Sequence, residues 1–158
     1  NPTIIDRKDK RERPTRKEDF RKVLYPSNFK VSHYLCGADS FKKGDIAILV
    51  EGFRDVLKLR QEGFSGSLGV GGTSLSDEQL LILSRLAPKK LMIMMDGDDG
   101  GKMGASRIAD KCLPLFREIF IIKLGNGKDP KDLSREEILF YMRHHTERLY
   151  QDARKGLM

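Results

Sequence analysis

The sequence has no apolar run approaching the roughly 20 residues that an α-helix needs to cross a bilayer. Its start lacks the charged, apolar and small-residue pattern of a secretory leader. Cysteine is scarce. Cys36 and Cys112 lie far apart and without a partner motif, so no disulfide framework and no zinc finger is implied. Both read as ordinary core or near-surface thiols, with the cytosol as the default compartment. No internal repeat or low-complexity segment is present. The first residue is Asn1 rather than Met, so a piece cut from a longer protein is expected.

What is present is charge and periodicity. The chain has 158 residues, 39% of them hydrophobic and 34% charged, enough for one domain with a core and an additional arm. The net charge is +7, a field that favours polyanionic partners. Much of the charge stands in residues 1–22, "NPTIIDRKDKRERPTRKEDFRK", which read as a basic arm exposed to solvent, with Arg11 and Arg13 among its phosphate-contact candidates.

Beyond residue 45 the pattern becomes regular. "IAILV" (46–50), "KLMIMM" (90–95) and "EIFIIKL" (118–124) are short apolar runs of the kind that form strands buried on both faces. "SGSLGVGG" (65–72) reads as a Gly-rich strand end. Helices are predicted over 54–63, ending at Gly63, over 74–87, opening with a Ser76–Gln79 capping box, and over 104–116 until Pro114 disturbs it. A long helix is predicted over 134–156, opening with a Ser134–Glu137 capping box. Strands alternating with helices at this spacing imply an α/β fold with a mostly parallel sheet and helices on both faces.

Functional groups of such sheets gather at the carboxyl ends of strands. Acids stand there three times: Glu51 after "IAILV", Asp96 and Asp98 after "KLMIMM", and Asp129 just past "EIFIIKL". Asp55 lies four residues after Glu51, where the first helical turn aims it at the same rim. A single acid at a strand end is ordinarily a cap or turn residue. Several converging acids raise one another's pKa and destabilise the fold unless a cation neutralises them, and hard oxygen ligands suit magnesium or manganese. Gly97, Gly100 and Gly101 give the backbone freedom to turn and to admit a phosphate.

Other readings of "DGDDGGK" fit less well. An EF-hand would need an oxygen-bearing side chain at position 100 and Glu at 107, where Gly100 and Arg107 stand. An Asp-x-Asp phosphotransferase leaves Glu51 unexplained. A P-loop needs Ser or Thr after its Lys, and Met103 follows Lys102.

"VEGFRD" (50–55), "SLGVGGTSLSDEQ" (67–79), "MMDGDDGGKMGA" (94–105) and "GKDPKDL" (127–133) together resemble the TOPRIM module of bacterial and phage DnaG-type primases, with "VLYPSNFKVSHYLCGAD" (23–39) resembling the segment that leads into it. The resemblance covers about residues 23–133. It implies a Rossmann-like TOPRIM module there, with residues 134–158 as a C-terminal helix that either packs on the module or begins a helical subdomain.

By the same resemblance Glu51 acts near the reaction centre. Glu51, Asp55, Asp96, Asp98 and Asp129 hold magnesium or manganese, with Glu51, Asp96 and Asp98 as the catalytic set. Where the family often continues Asp-Pro-Asp, this chain reads Asp129-Pro130-Lys131, so either Lys131 contacts a phosphate or Asp132 replaces the missing acid. Lys102, Gly100 and Gly101 are candidates for binding nucleotide phosphates, and Arg107 and Lys111, at i and i+4, for a nucleic-acid face.

The implied activity is synthesis of RNA primers on a single-stranded DNA template by nucleotidyl transfer, in the cytoplasm of a bacterial or phage-infected cell. The implied partners are the template, the nascent primer, nucleoside triphosphates and a replicative helicase engaged through other parts of the parent chain, with no membrane. The zinc-binding region and most of the basic N-terminal half expected upstream are not in this sequence, so the chain alone is expected to be at most partly active. A metal-dependent TOPRIM nuclease and a non-catalytic nucleic-acid-binding module are the alternatives. Met92, Met94 and Met95 read as core, and His144 and His145 as surface.

Overall fold

The computed structural model describes residues 26–150. Five strands form one sheet: β1 (Ile46–Val50), β2 (Ser67–Gly69), β3 (Lys90–Ile93), β4 (Glu118–Ile122) and β5 (Thr146–Tyr150), in the order β2-β1-β3-β4-β5. The first four are mutually parallel, and β5 runs antiparallel to β4. Among the described residues four α-helices connect or flank them: α1 (Phe53–Gln61), α2 (Asp77–Leu86), α3 (Asp99–Cys112) and α4 (Arg135–His144).

The apolar runs divide between two cores because successive strand residues face opposite sides of the sheet. Ala47, Leu49, Leu91, Ile93, Ile119 and Ile121 face one side and pack with Leu83 of α2 and Ile108 and Cys112 of α3. Ile48, Val50 and Ile122 face the other and pack with Val56 and Leu59 of α1 and Ile138 of α4. This is the two-sided α/β layering that the alternation of strands and helices predicts. Cys112 is fully buried, and burial pushes its thiol up to about 12, in keeping with an inert core residue.

Both predicted capping boxes form. Ser76 Oγ accepts the Gln79 N–H at 3.0 Å while Gln79 Oε1 accepts the Ser76 N–H at 3.0 Å. Ser134 and Glu137 reciprocate in the same way at 3.2 and 2.8 Å. The Gln79 amide also donates to the carbonyls of Val70 and Tyr34, at 2.7 and 2.8 Å, which fastens the segment preceding β1 to the sheet. That segment pairs through Cys36 with Gly69 and so covers the outer edge of β2.

Two predicted elements are corrected. The helix expected from residue 104 begins at Asp99, because Asp98 caps it by accepting the Gly101 N–H at 2.7 Å. Gly100 and Gly101 therefore lie in a first helical turn rather than in a loop, and the helix ends two residues short of Pro114, which has no N–H to continue the ladder. The long C-terminal helix stops at His144, and residues 146–150 are β5 instead. The helical pattern is overridden by the exposed edge of β4, whose unpaired backbone groups β5 satisfies, with Leu149 opposite Ile119 and packed on the core. Thr146 Oγ1 closes the end of α4 by donating to the Met142 carbonyl at 2.7 Å. The basic arm over residues 1–22, with Arg11 and Arg13, lies outside the described residues.

Candidate metal and nucleotide site

The parallel strands β1, β3 and β4 deliver their carboxyl ends to one rim. Val50 is followed by Glu51, and the chain turns into α1 at Gly52. Asp55, only 4% exposed, sits on the inner side of that first turn. Its Oδ2 accepts the Gly52 N–H at 2.9 Å, and its Oδ1 accepts the N–H of Lys131, from the far loop, at 3.1 Å. Asp55 thus ties the start of α1 to the 3₁₀ turn Pro130–Asp132.

Asp96 reaches the same rim from β3. The Gly97 N–H donates to the Lys128 carbonyl at 2.8 Å, drawing the loop after β3 against the loop after β4. A Cβ at Gly97 would stand 2.0 Å from the Gly125 carbonyl oxygen, and one at Gly101 would stand 2.0 Å from that of Asp96. Both glycines are therefore needed for close backbone packing. Gly100 is different: a Cβ there would meet nothing nearer than Asp98 Oδ1 at 3.5 Å, so that side of the first turn is open.

Charge from several acids acts on Asp96 across this rim. Burial, then Glu51, Asp55 and Asp129, push the Asp96 carboxyl up to about 7, with Lys131 pulling the other way. Asp96 Oδ1 is buried and has no hydrogen-bond partner among the described residues. Burial also raises Asp55 above the usual carboxylate range, against the opposing pull of its two backbone donors and Lys131. Asp129 pairs through Oδ2 with Lys131 Nζ, and both side chains are 28% exposed. For Lys131, burial works against the charge, but Asp129, Asp55 and Asp96 outweigh it and raise its pKa. Among the described residues no three acidic, imidazole or thiol side chains lie together in a geometry that could hold an ion as they stand. Asp55 and Asp98 accept backbone donors, and Asp129 holds an ammonium.

Of the sequence-predicted residues, Glu51, Asp55 and Asp129 lie near enough to Asp96 for their charges to act on its carboxyl. Asp98 is exposed at the N-cap of α3, and Asp132 is also exposed. Lys102 stands at the rim and donates to Asn126 Oδ1 at 2.6 Å. Arg107 is exposed on α3. Lys111 does not share an open face with it: its Nζ donates to the Leu75 carbonyl at 2.8 Å and lies 2.7 Å from Asp77 Oδ1, locking α3 to the start of α2.

A pocket of about 290 Å³ opens beside Asp96, lined by Lys102, Ser106, Leu124 and Glu147 among others. Sequence reasoning misses Ser106, which carries no motif, and Glu147, which reaches the pocket only because residues 146–150 form a strand. A larger pocket, about 610 Å³ and mainly apolar, lies between the pre-β1 segment and Phe53, away from the acids.

Residues 45–122 match the Toprim domain family. A DNA primase from Chlamydia pneumoniae is 35% identical over 107 residues, which cover 65% of this chain and 18% of that protein. Among solved structures, a DnaG catalytic core aligns with a TM-score of 0.64 at 26% identity, over 76% of this chain and 42% of that one. The zinc-binding and RNA polymerase domains of Aquifex aeolicus primase align with a TM-score of 0.60 at 29% identity, over 85% of this chain and 36% of that one. The chain thus spans under a fifth of the Chlamydia protein's length. The match over residues 45–122, the parallel sheet and the DnaG neighbours together identify a Toprim domain of the DnaG primase type within this chain.

Proposed function

We propose that this chain is the metal-binding catalytic part of a DnaG-type primase, which joins ribonucleotides into primers on single-stranded DNA during replication. The observation that carries this reading is Asp96: a strand-end carboxyl pushed up to about 7 by burial and by three neighbouring acids, with one oxygen buried and unpartnered among the described residues. Such an arrangement is unfavourable for the empty protein and becomes favourable when a divalent cation replaces the proton.

The donor set is hard oxygen, which fits magnesium or manganese. Glu51 and Asp96 would hold the ion, with Asp98 and Asp129 at its margin. The bound ion supplies charge neutralisation for an attacking 3′-hydroxyl and a departing pyrophosphate. The chain's own residues position the reactants. Asp55 holds the Asp129–Lys131 turn against the rim, so that acids on different strands face one volume. The open side of Gly100 and the ammonium of Lys102 lie where triphosphate oxygens can approach. Exposed Arg107 extends the positive surface along α3 toward a template strand.

Single-stranded template, nascent primer and nucleoside triphosphates are the partners in this reading, with a replicative helicase engaged through other parts of the parent chain and the reaction taking place in the cytoplasm. Among the described residues no helix is long and apolar enough to cross a membrane.

The test is dinucleotide synthesis by the chain, with ribonucleoside triphosphates, a single-stranded DNA template and manganese. The reading expects a product that needs both template and metal and disappears in Asp96→Asn. Template cleavage without synthesis would replace the reading with a nuclease.

A further inference from the structure

The turn that completes the acid set ends in a cation. Lys131 Nζ pairs with Asp129 Oδ2, and the same residue's backbone N–H is held by Asp55 Oδ1 at 3.1 Å. The backbone contact fixes where the side chain starts, and the ion pair fixes where it ends. With 28% of its side chain exposed, Lys131 is unlike a solvated surface lysine.

We propose that Lys131 is a built-in cation that occupies Asp129, so that this chain takes one divalent ion, at Asp96 and Glu51, where the same site without an ammonium on Asp129 could take two. The inference rests on the metal-binding reading above. Its physical basis is competition for one carboxylate. An ammonium on Asp129 satisfies that oxygen and places a positive charge beside any ion that approaches it, which disfavours a second cation there. Asp96, by contrast, keeps a buried oxygen with no partner among the described residues, so the first ion meets no resident competitor at that atom. Asp132, the next acid along the turn, is exposed.

The test is calorimetric titration of the 158-residue chain with manganese(II) at low ionic strength. Wild type is compared with Lys131→Met, Lys131→Gln and Lys131→Arg. The backbone N–H that Asp55 holds survives in every variant, and circular dichroism checks that each is folded. Wild type and Lys131→Arg should bind one ion. Lys131→Met and Lys131→Gln should gain a second ion or bind manganese at least about tenfold more tightly, as removal of a close like charge predicts. Two ions in wild type, or unchanged binding in both neutral variants, overturns the role of Lys131 while leaving the metal site standing. No binding by any form removes the metal reading, and this inference with it.

Discussion

Asp55 and Lys131, 76 residues apart in sequence, are joined by a carboxylate-to-backbone hydrogen bond of 3.1 Å beneath the rim of the site. The second oxygen of Asp55 is taken by the Gly52 N–H at 2.9 Å, so this buried acid works first as a clamp between two loops. Asp55→Asn keeps the shape but turns one acceptor into a donor that faces an N–H. It should cost about 1–3 kcal/mol of stability in urea unfolding, the usual penalty for an unsatisfied buried polar group. Unchanged stability with loss of manganese binding would instead make Asp55 a ligand.

The Asp96 carboxyl gives a pH dependence with a definite sign. Its folded pKa, about 7, lies above the ordinary value of 3.8, so over that interval the folded chain binds the proton more tightly than the unfolded chain. Its contribution to stability is fully present below about pH 4 and is lost as the pH rises through 7. Urea midpoints at pH 5 and pH 8 should therefore differ more in metal-free wild type than in Asp96→Asn, and the variant should be the more stable protein at pH 8. Manganese should raise the wild-type midpoint at pH 8 and leave that of the variant unmoved. Equal pH slopes in the two metal-free proteins would contradict this account of Asp96.

Adjacent glycines should respond differently to one methyl group. Gly101→Ala places a Cβ 2.0 Å from the Asp96 carbonyl oxygen, where backbone must move, and should cost about 1–3 kcal/mol. Gly100→Ala meets nothing nearer than 3.5 Å and should be neutral or stabilising by up to about 1 kcal/mol, as expected for alanine in a helix. If phosphates approach over Gly100, the same variant should weaken nucleoside triphosphate binding in a fluorescence titration. Equal destabilisation by the two substitutions would reject this local geometry.

Lys111 and Arg107 separate structure from binding on α3. Lys111→Ala removes the link to the Leu75 carbonyl and Asp77 and should lower the thermal midpoint. Arg107→Ala should leave the midpoint in place but weaken binding to single-stranded DNA and reduce the salt dependence of that affinity. If instead Lys111→Ala changes only DNA affinity, the ion pair to Asp77 is not what holds the helix.

Much of this arrangement was legible in the sequence because the strands are buried on both faces and read as uninterrupted apolar runs. The acids that end β1 and β3 could be placed on one rim because each directly follows an apolar run that reads as a buried parallel strand. The two serine capping boxes located the starts of α2 and α4 for a local reason, since both partners lie within one turn. What escaped was set by long-range contacts. Residues 146–150 continue a helical pattern, yet the open edge of β4 recruits them as a strand, and Glu147 joins the pocket beside Asp96 with them. Gly97 and Gly101 were legible as glycines, but the carbonyl groups that crowd them come from chain packing. The engagement of Asp55 by the Lys131 backbone has no local trace, because a carboxylate's partner across a fold leaves no pattern around either residue.

The most direct measurement is anomalous X-ray scattering from crystals of the chain soaked in manganese. The account predicts one peak within about 2.2 Å of oxygens from both Asp96 and Glu51, a normal distance for a hard cation, with Lys131 still paired to Asp129. Glu51 and Asp96 side chains bound to no common ion, or a peak that displaces Lys131 from Asp129 in the absence of nucleotide, would contradict it.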